Sequence, residues 1–160
     1  LNQKSIVRAM PNSPAELGMG MTAFTAHSTL PIEQVRKVEG LLATTGKTVF
    51  LENENLLDAV TALSGSGPAY FFYIVKHMIE AGKKMGFDEV ASAMLVKQTM
   101  LGAFHLVNNA NKSLDDLIKA VASKGGTTEA ALNTFEKNKI GQGLQEGIVS
   151  ARDRATELSK

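Results

Sequence analysis

Two consecutive stretches of the sequence, 68–85 and 89–109, combine helical spacing with apolar residues on nearly every face. Gly86 ends the first stretch, and Asp88 is placed to cap the second. A helix that is apolar all round has to be covered on several sides, and a chain of 160 residues has too little else to cover both. The pattern predicts a helical bundle with a large homodimer interface. The alternative is an ordinary bundle core.

The sequence changes character near residue 55. Before that point, short β-prone runs surround one helical pattern, which begins at Pro31 and stops at Thr45-Gly46. These elements are too few to close a sheet, so we expect residues 1–55 to be the end of a larger α/β domain and residues 56–160 to be all-helical. The predicted strands are 5–10, 19–24 and 48–51, and the helices after residue 55 are 56–63, 68–85, 89–109, 114–122, 128–138 and 144–158.

Composition excludes several classes of function. The net charge is +1, from 17 basic and 16 acidic residues mixed along the chain, so we predict no nucleic-acid partner. There is no cysteine, and the three histidines lie far apart, so we predict no metal site. We expect no apolar run to approach the length of a membrane span, and the first residues lack the apolar core of a signal peptide. A cytoplasmic protein without a membrane partner is therefore expected.

The segment 122–130 is the strongest candidate for a ligand site. Gly125 and Gly126 can adopt backbone conformations closed to other residues, and the N–H groups of the following helical turn then face outward with the positive end of the helix dipole behind them. Thr127 and Thr128 add hydroxyl groups that can bond to a nitrogen beside a carboxylate. The alternative is a helix end followed by a helix start, with threonine as the N-cap.

Three other motifs have weaker implications. Gly46-Lys47-Thr48 ends like a phosphate-binding loop, but it runs from helix into strand, so we interpret it as a helix stop. The small residues of 64–68 follow a helix rather than a strand, and they favour close approach of a ligand or of another backbone. Asn12 and Ser13 lie just past the first predicted strand, where α/β sheets bind ligands; the alternative is a turn between two prolines.

Three motifs together, in order and spacing, resemble those of pyrroline-5-carboxylate reductase: residues 7–14, 62–70 and 123–128. The resemblance implies a mainly α fold, in which a helical dimerisation bundle follows a small α/β remnant of a Rossmann-type domain. The Gly-rich dinucleotide turn of that family is absent from the sequence. We therefore expect the chain to be the rear part of such an enzyme and to be inactive on its own.

The resemblance also implies a reaction, the reduction of 1-pyrroline-5-carboxylate to L-proline with NADPH or NADH, by a homodimer or a higher oligomer. Thr128 is the implied catalytic residue, facing the ring nitrogen. The implied substrate-binding residues are Ser123, Gly125, Gly126, Thr127 and Thr128. The implied cofactor-binding residues are Met10, Pro11, Asn12, Ser66, Gly67 and Pro68. Lys124 stands where the family usually has proline, and this change affects neither the expected fold nor the expected reaction.

Two alternatives remain open from the sequence. The chain could be only a dimerisation module without turnover of its own. It could also be the helical domain of another Rossmann-linked dehydrogenase, of the β-hydroxyacid type. That family has its catalytic lysine four residues after a glycine, whereas Lys76 lies nine residues after Gly67 and Glu80 replaces the expected asparagine, so the spacing argues against it.

Overall fold

A computed structural model describes residues 5–159, and the description below is limited to them. The chain divides into two compact units. The first contains residues up to Phe71 together with the segment from Gln145 onward, and the second is Phe72–Leu144. The two units are distinguished by their compactness alone. The domain boundary expected at residue 55 from the change in sequence character stays a prediction.

The first unit contains a three-stranded sheet in the order β1-β2-β3. Its strands are Val7–Met10 (β1), Gly20–Ala26 (β2) and Gly46–Phe50 (β3). β1 and β2 are antiparallel, with Val7 opposite Ala26, and β2 and β3 are parallel, with Gly20 opposite Gly46. Helix α1 (Ile32–Leu42) connects the parallel pair, as a parallel connection requires. All three strands expected from the sequence are present, with shifted ends.

The core of this unit is built on β2. Thr22, Ala23, Phe24 and Thr25 are all buried, so this strand is covered on both faces. Phe24 packs edge-on against Phe50, with ring centroids 5.3 Å apart. The connection after β1 is more ordered than the expected proline turn, because residues Ser13–Leu17 form a 3₁₀ turn that ends at Gly18 in the left-handed conformation. A second 3₁₀ turn, Ala43–Thr45, ends α1.

Beyond residue 55 the chain is helical, as expected. The first helix, α2 (Leu56–Val60), continues as a wide π turn, Thr61–Gly65, in which the Ser66 N–H donates to the Thr61 carbonyl at 2.8 Å. The remaining helices are α3 (Gly67–Lys84), α4 (Glu89–Asn109), α5 (Leu114–Val121), α6 (Thr127–Lys137) and α7 (Ile140–Leu158). α7 begins four residues before the expected start, since Gly141 and Gly143 weaken the helical signal there. The mainly helical fold class is confirmed.

Two side-chain contacts lie at the junction of α3 and α4, in the second unit. Asp88 accepts a hydrogen bond from the Ala91 N–H at 2.7 Å and caps α4, as expected. Lys83, near the end of α3, donates to Glu89 at 2.9 Å. This hydrogen bond, together with the attraction between the charges, raises the pKa of the Lys83 ammonium and lowers the pKa of the Glu89 carboxyl. The pair lies on the exposed surface beside the Gly86 turn, between the end of α3 and the start of α4.

Helix α4 is apolar and largely exposed. Val90 and Met94 are among its exposed side chains, whereas only Ser92 and Val96 are buried. By length and composition alone, α4 could cross a membrane, since its most apolar 18-residue window has a mean hydropathy of 1.3. The expectation that no apolar run approaches the length of a span is therefore wrong. Apolar side chains left exposed on the rest of α4 are what the sequence pattern predicts for a helix covered by a second chain.

Candidate functional site

The predicted anion seat lies at the start of α6, in the second unit. Gly126 is the N-cap residue, with φ −86° and ψ 172°, and no side chain caps the helix from this position. Gly125 has φ +75°, a left-handed conformation that favours glycine. The prediction that both glycines adopt conformations closed to other residues is thus right for Gly125 and wrong for Gly126. Threonine as the N-cap is also wrong, because Thr127 is the first helical residue.

Gly126 is required for space rather than for conformation. A Cβ atom at this position would lie 2.5 Å from the Ser123 hydroxyl oxygen and 3.0 Å from the Ser123 carbonyl oxygen. The Gly126 N–H donates to that carbonyl at 3.0 Å, which closes a tight turn over 123–126. The two glycines therefore serve different purposes: one allows the left-handed turn, and the other allows the close approach of Ser123.

A carboxylate already binds one amide of this loop. Glu129, in the first turn of α6, accepts a hydrogen bond from the Gly125 N–H at 2.7 Å. The N–H groups of Gly125 and Gly126 are thus both engaged, whereas those of Thr127, Thr128 and Glu129 have no carbonyl within the helix to bond. Glu129 is a site residue that was not predicted from the sequence. Its signal is an acidic residue three positions after the N-cap, which is usually sought after serine or threonine rather than after glycine.

The remaining loop residues are open to a ligand. Ser123, Gly125 and Thr127 are exposed, and Thr128 is half-buried. Within residues 5–159, the Thr128 hydroxyl has no hydrogen-bond partner, whereas the hydroxyl of Thr134, further along the same helix, donates to the Ala130 carbonyl at 3.0 Å. Free helix N–H groups and an uncommitted hydroxyl can hold a small molecule that carries an anionic group beside a nitrogen.

The six residues of the predicted cofactor site lie in the first unit. Met10 is the last residue of β1, and Pro11 and Asn12 follow it, while Ser66, Gly67 and Pro68 stand at the junction of the π turn and α3. The structure joins these two segments through Asn12, whose amide nitrogen lies 3.3 Å from both oxygens of Ser64. Met10 also reaches Gly65, since a Cβ there would lie 2.5 Å from the Met10 Cε.

The chain is similar to pyrroline-5-carboxylate reductases. The family model described as pyrroline-5-carboxylate reductase dimerisation matches residues 54–158. The pyrroline-5-carboxylate reductase of Haemophilus influenzae is 40% identical over 156 residues, and that of Pseudomonas aeruginosa is 36% identical over 157 residues. These alignments cover 97% and 98% of this chain but only 58% of each relative. The chain thus spans little more than half the length of these relatives.

Solved structures give the same result. A pyrroline-5-carboxylate reductase from Coxiella burnetii matches 98% of the chain with a TM-score of 0.91 and 35% identity, and the chain covers 58% of it. The Plasmodium falciparum pyrroline carboxylate reductase, solved with NADP bound, matches 98% with a TM-score of 0.92 and 28% identity, and the chain covers 64% of it. The resemblance expected from the three motifs is confirmed, and the chain belongs to the pyrroline-5-carboxylate reductase family.

Proposed function

We propose that this chain contributes the substrate seat and the dimer-forming helices of an NAD(P)H-dependent reductase that converts 1-pyrroline-5-carboxylate to L-proline, the final step of proline synthesis. The observation that carries the proposal is the similarity to named reductases over 97–98% of the chain, which includes all three motifs. We propose a cytoplasmic location for this enzyme, and neither nucleic acid nor membrane as a partner.

The substrate carboxylate is proposed to bind at the start of α6. The residues that surround this position are Ser123, Gly125, Gly126, Thr127 and Thr128. Because Glu129 holds the Gly125 N–H at 2.7 Å, the substrate carboxylate bonds first to the free N–H groups of Thr127 and Thr128. The Thr128 hydroxyl, which has no partner among the described residues, then faces the ring nitrogen and supports the amine that forms there.

The proposed cofactor is NADPH or NADH, and when bound it supplies the hydride. Met10, Pro11 and Asn12 form one wall of the proposed nicotinamide site, and Ser66, Gly67 and Pro68 form the other. Their properties fit such a group, since a Cβ at Gly67 would have no atom within 4 Å and Ser66 is half-buried. The nicotinamide cofactor delivers hydride to the imine carbon, while the nitrogen takes a proton and becomes the amine of proline.

A homodimer is part of this proposal. The exposed apolar side chains of α4 lie within the residues matched by the dimerisation family, and covering them with a second copy would remove a large apolar area from water. This occupant explains the long apolar helix α4 better than a membrane does, because the relatives matched by the same residues are reductases.

The second candidate function is a dimerisation module without turnover. The observation that favours it is that the chain covers only 58% of the length of the reductases from Pseudomonas aeruginosa and Haemophilus influenzae. The two candidates apply to different polypeptides. The reductase is the product of the complete reading frame that contains these 160 residues, and the module is the 160-residue chain alone.

An assay of NADPH oxidation that depends on pyrroline-5-carboxylate distinguishes the two candidate functions. We expect turnover by the complete gene product and none by the 160-residue chain, because the chain spans only 58% of the length of the reductases that it matches. Circular dichroism of both proteins shows whether each is folded. A folded complete gene product that oxidises no NADPH with this imine would refute the reductase, and turnover by the shorter chain would refute the inactive module.

A further inference from the structure

The orientation of the Asn12 amide follows from its partners. Its Oδ1 accepts from the Met21 N–H at 2.9 Å, and its Nδ2 faces the Ser64 carbonyl oxygen at 3.3 Å and the Ser64 Oγ at 3.3 Å. A backbone N–H can only donate, and a carbonyl can only accept. The opposite amide orientation would place two donors together at Met21 and two acceptors together at Ser64, so the orientation is fixed.

This orientation determines what the Ser64 hydroxyl can do. Because the Asn12 nitrogen only donates, the Ser64 Oγ accepts from it, and the hydroxyl proton is directed away from Asn12. Among residues 5–159, no acceptor takes that proton. Ser64 is half-buried, so its hydroxyl is a hydrogen-bond donor held in place without an internal acceptor.

Side chains from outside the π turn also hold the backbone around Ser64. Ser64 lies in the wide π turn Thr61–Gly65, whose carbonyls do not bond to the N–H groups four residues on, and Pro68 has no N–H to donate to the Ser64 carbonyl. Two side chains replace those partners. Tyr70 donates its hydroxyl to the Ala62 carbonyl at 2.9 Å, and Asn12 donates to the Ser64 carbonyl. Ser64 therefore has a fixed position between the two walls proposed for the cofactor.

We propose that Ser64 is a further cofactor-binding residue and that Asn12 is the positioning residue that makes it a donor. The Ser64 hydroxyl donates to an acceptor oxygen at the nicotinamide end of the cofactor, where the carboxamide carbonyl is available. This inference rests on the proposed function. It changes the role expected for Asn12 from the sequence, because the Asn12 amide is already bonded to Met21 and Ser64 and is not free to bind the cofactor directly.

The test uses steady-state kinetics of the complete gene product with two variants. Ser64→Ala removes the donor, and we expect the KM for NADPH to rise about five- to tenfold, as for the loss of one neutral hydrogen bond, with kcat within about twofold of the wild type. Asn12→Asp places a carboxylate oxygen beside the Ser64 Oγ, so the hydroxyl donates to it instead, and the Ser64 carbonyl loses its donor. We expect a similar rise in KM, and no further rise when Ser64→Ala is added.

Ser150→Ala is the matched control, because the Ser150 hydroxyl donates to the Glu146 carbonyl within α7. We expect it to change no kinetic constant. Hydrogen exchange at the Ser66 amide, which closes the π turn, reports the backbone separately. Unchanged protection in Ser64→Ala would show that its KM effect is a lost contact rather than a loosened turn.

Two results would overturn the inference: an unchanged KM for NADPH in Ser64→Ala, whatever the change in kcat, or effects of the two variants that simply add. A failure of the proposed function looks different, since the wild type would then show no imine-dependent oxidation. In that case direct titration of NADPH decides the inference, because equal Kd values for the wild type and Ser64→Ala would refute the contact.

Discussion

At the scale of single residues, the conformational role of Gly125 can be tested by substitution. Gly125 has φ +75° with open space around it, so its substitution by alanine is opposed by conformation alone. We predict that Gly125→Ala lowers the free energy of unfolding by about 1–2 kcal/mol, the usual cost of a left-handed alanine. Urea unfolding of the 160-residue chain at fixed protein concentration measures it.

The matched control for this prediction is Gly141→Ala. Gly141 also has open space around it, but it lies in the first turn of α7, where alanine is favoured by about 0.5–1 kcal/mol. The two identical substitutions should therefore have opposite signs. A Gly125→Ala chain as stable as the wild type would show that the left-handed turn is not required for folding.

The hydroxyl of Thr128 supports a prediction about rate. If it bonds to the reacting nitrogen, Thr128→Ala removes about 0.5–1.5 kcal/mol of transition-state stabilisation, which is about a two- to tenfold fall in kcat/KM of the complete gene product. Thr128→Ser should retain most of the activity. Thr134→Ala is the control, because that hydroxyl bonds within α6. Equal kcat/KM values for Thr128→Ala and wild type would remove Thr128 from the proposed mechanism.

Residue types in the candidate site could be predicted from the sequence, but their partners could not. Gly125 stands out because few residues other than glycine serve a left-handed turn before a helix, and the threonines stand out because their hydroxyls come directly after the two glycines. The Glu129 carboxylate on the Gly125 N–H and the Asn12 link to Ser64 depend on side-chain geometry, and Asn12 and Ser64 are 52 positions apart. No local pattern reports a contact of that separation.

At the scale of elements, α3 and α4 make a close contact at Gly82 and Ser92. Both residues are buried, a Cβ at Gly82 would lie 2.7 Å from the Ser92 Oγ, and this hydroxyl has no hydrogen-bond partner among the described residues. We predict that Ser92→Ala raises the free energy of unfolding by up to about 1 kcal/mol, because a desolvated hydroxyl without a partner is removed. We predict that Gly82→Ala lowers it by about 1–3 kcal/mol, through overpacking.

A double-mutant cycle in urea unfolding tests this contact directly. Once the Ser92 Oγ is removed, the nearest atom to a Cβ added at Gly82 is the Ser92 Cβ, at 3.1 Å. Gly82→Ala should therefore cost less in the Ser92→Ala background, with a coupling of at least about 0.5 kcal/mol. Additive effects would mean that the helices separate rather than pack at this point.

Most elements could be predicted because their periodicity and their end signals agree. Asp88 caps α4 as expected, and Gly86 ends the pattern before it. The π turn at Thr61–Gly65 could not be predicted, since it depends on donors from Asn12 and Tyr70 that lie outside the turn. The 3₁₀ turn Ser13–Leu17 was missed because two prolines and a serine indicate only a turn.

At the scale of the whole molecule, the exposed apolar side chains of α4 determine the expected assembly. We predict that light scattering of the purified 160-residue chain gives about twice its 17.1 kDa mass. Leu101 and Phe104 are both more than half exposed and lie one helical turn apart. Changing both to aspartate places two charges in the proposed interface, where the cost of desolvation should shift the chain toward the monomer.

Leu17→Asp is the control for this last prediction. Leu17 is 79% exposed, more than either α4 residue, but it lies outside residues 54–158, which match the dimerisation family. The same loss of an exposed leucine should therefore leave the mass unchanged. A wild-type chain that is a folded monomer would refute the dimer. A chain that stays in solution only with detergent would instead assign the apolar surface of α4 to a lipid bilayer. In that case the Leu17→Asp variant and the variant with aspartate at Leu101 and Phe104 would show the same mass.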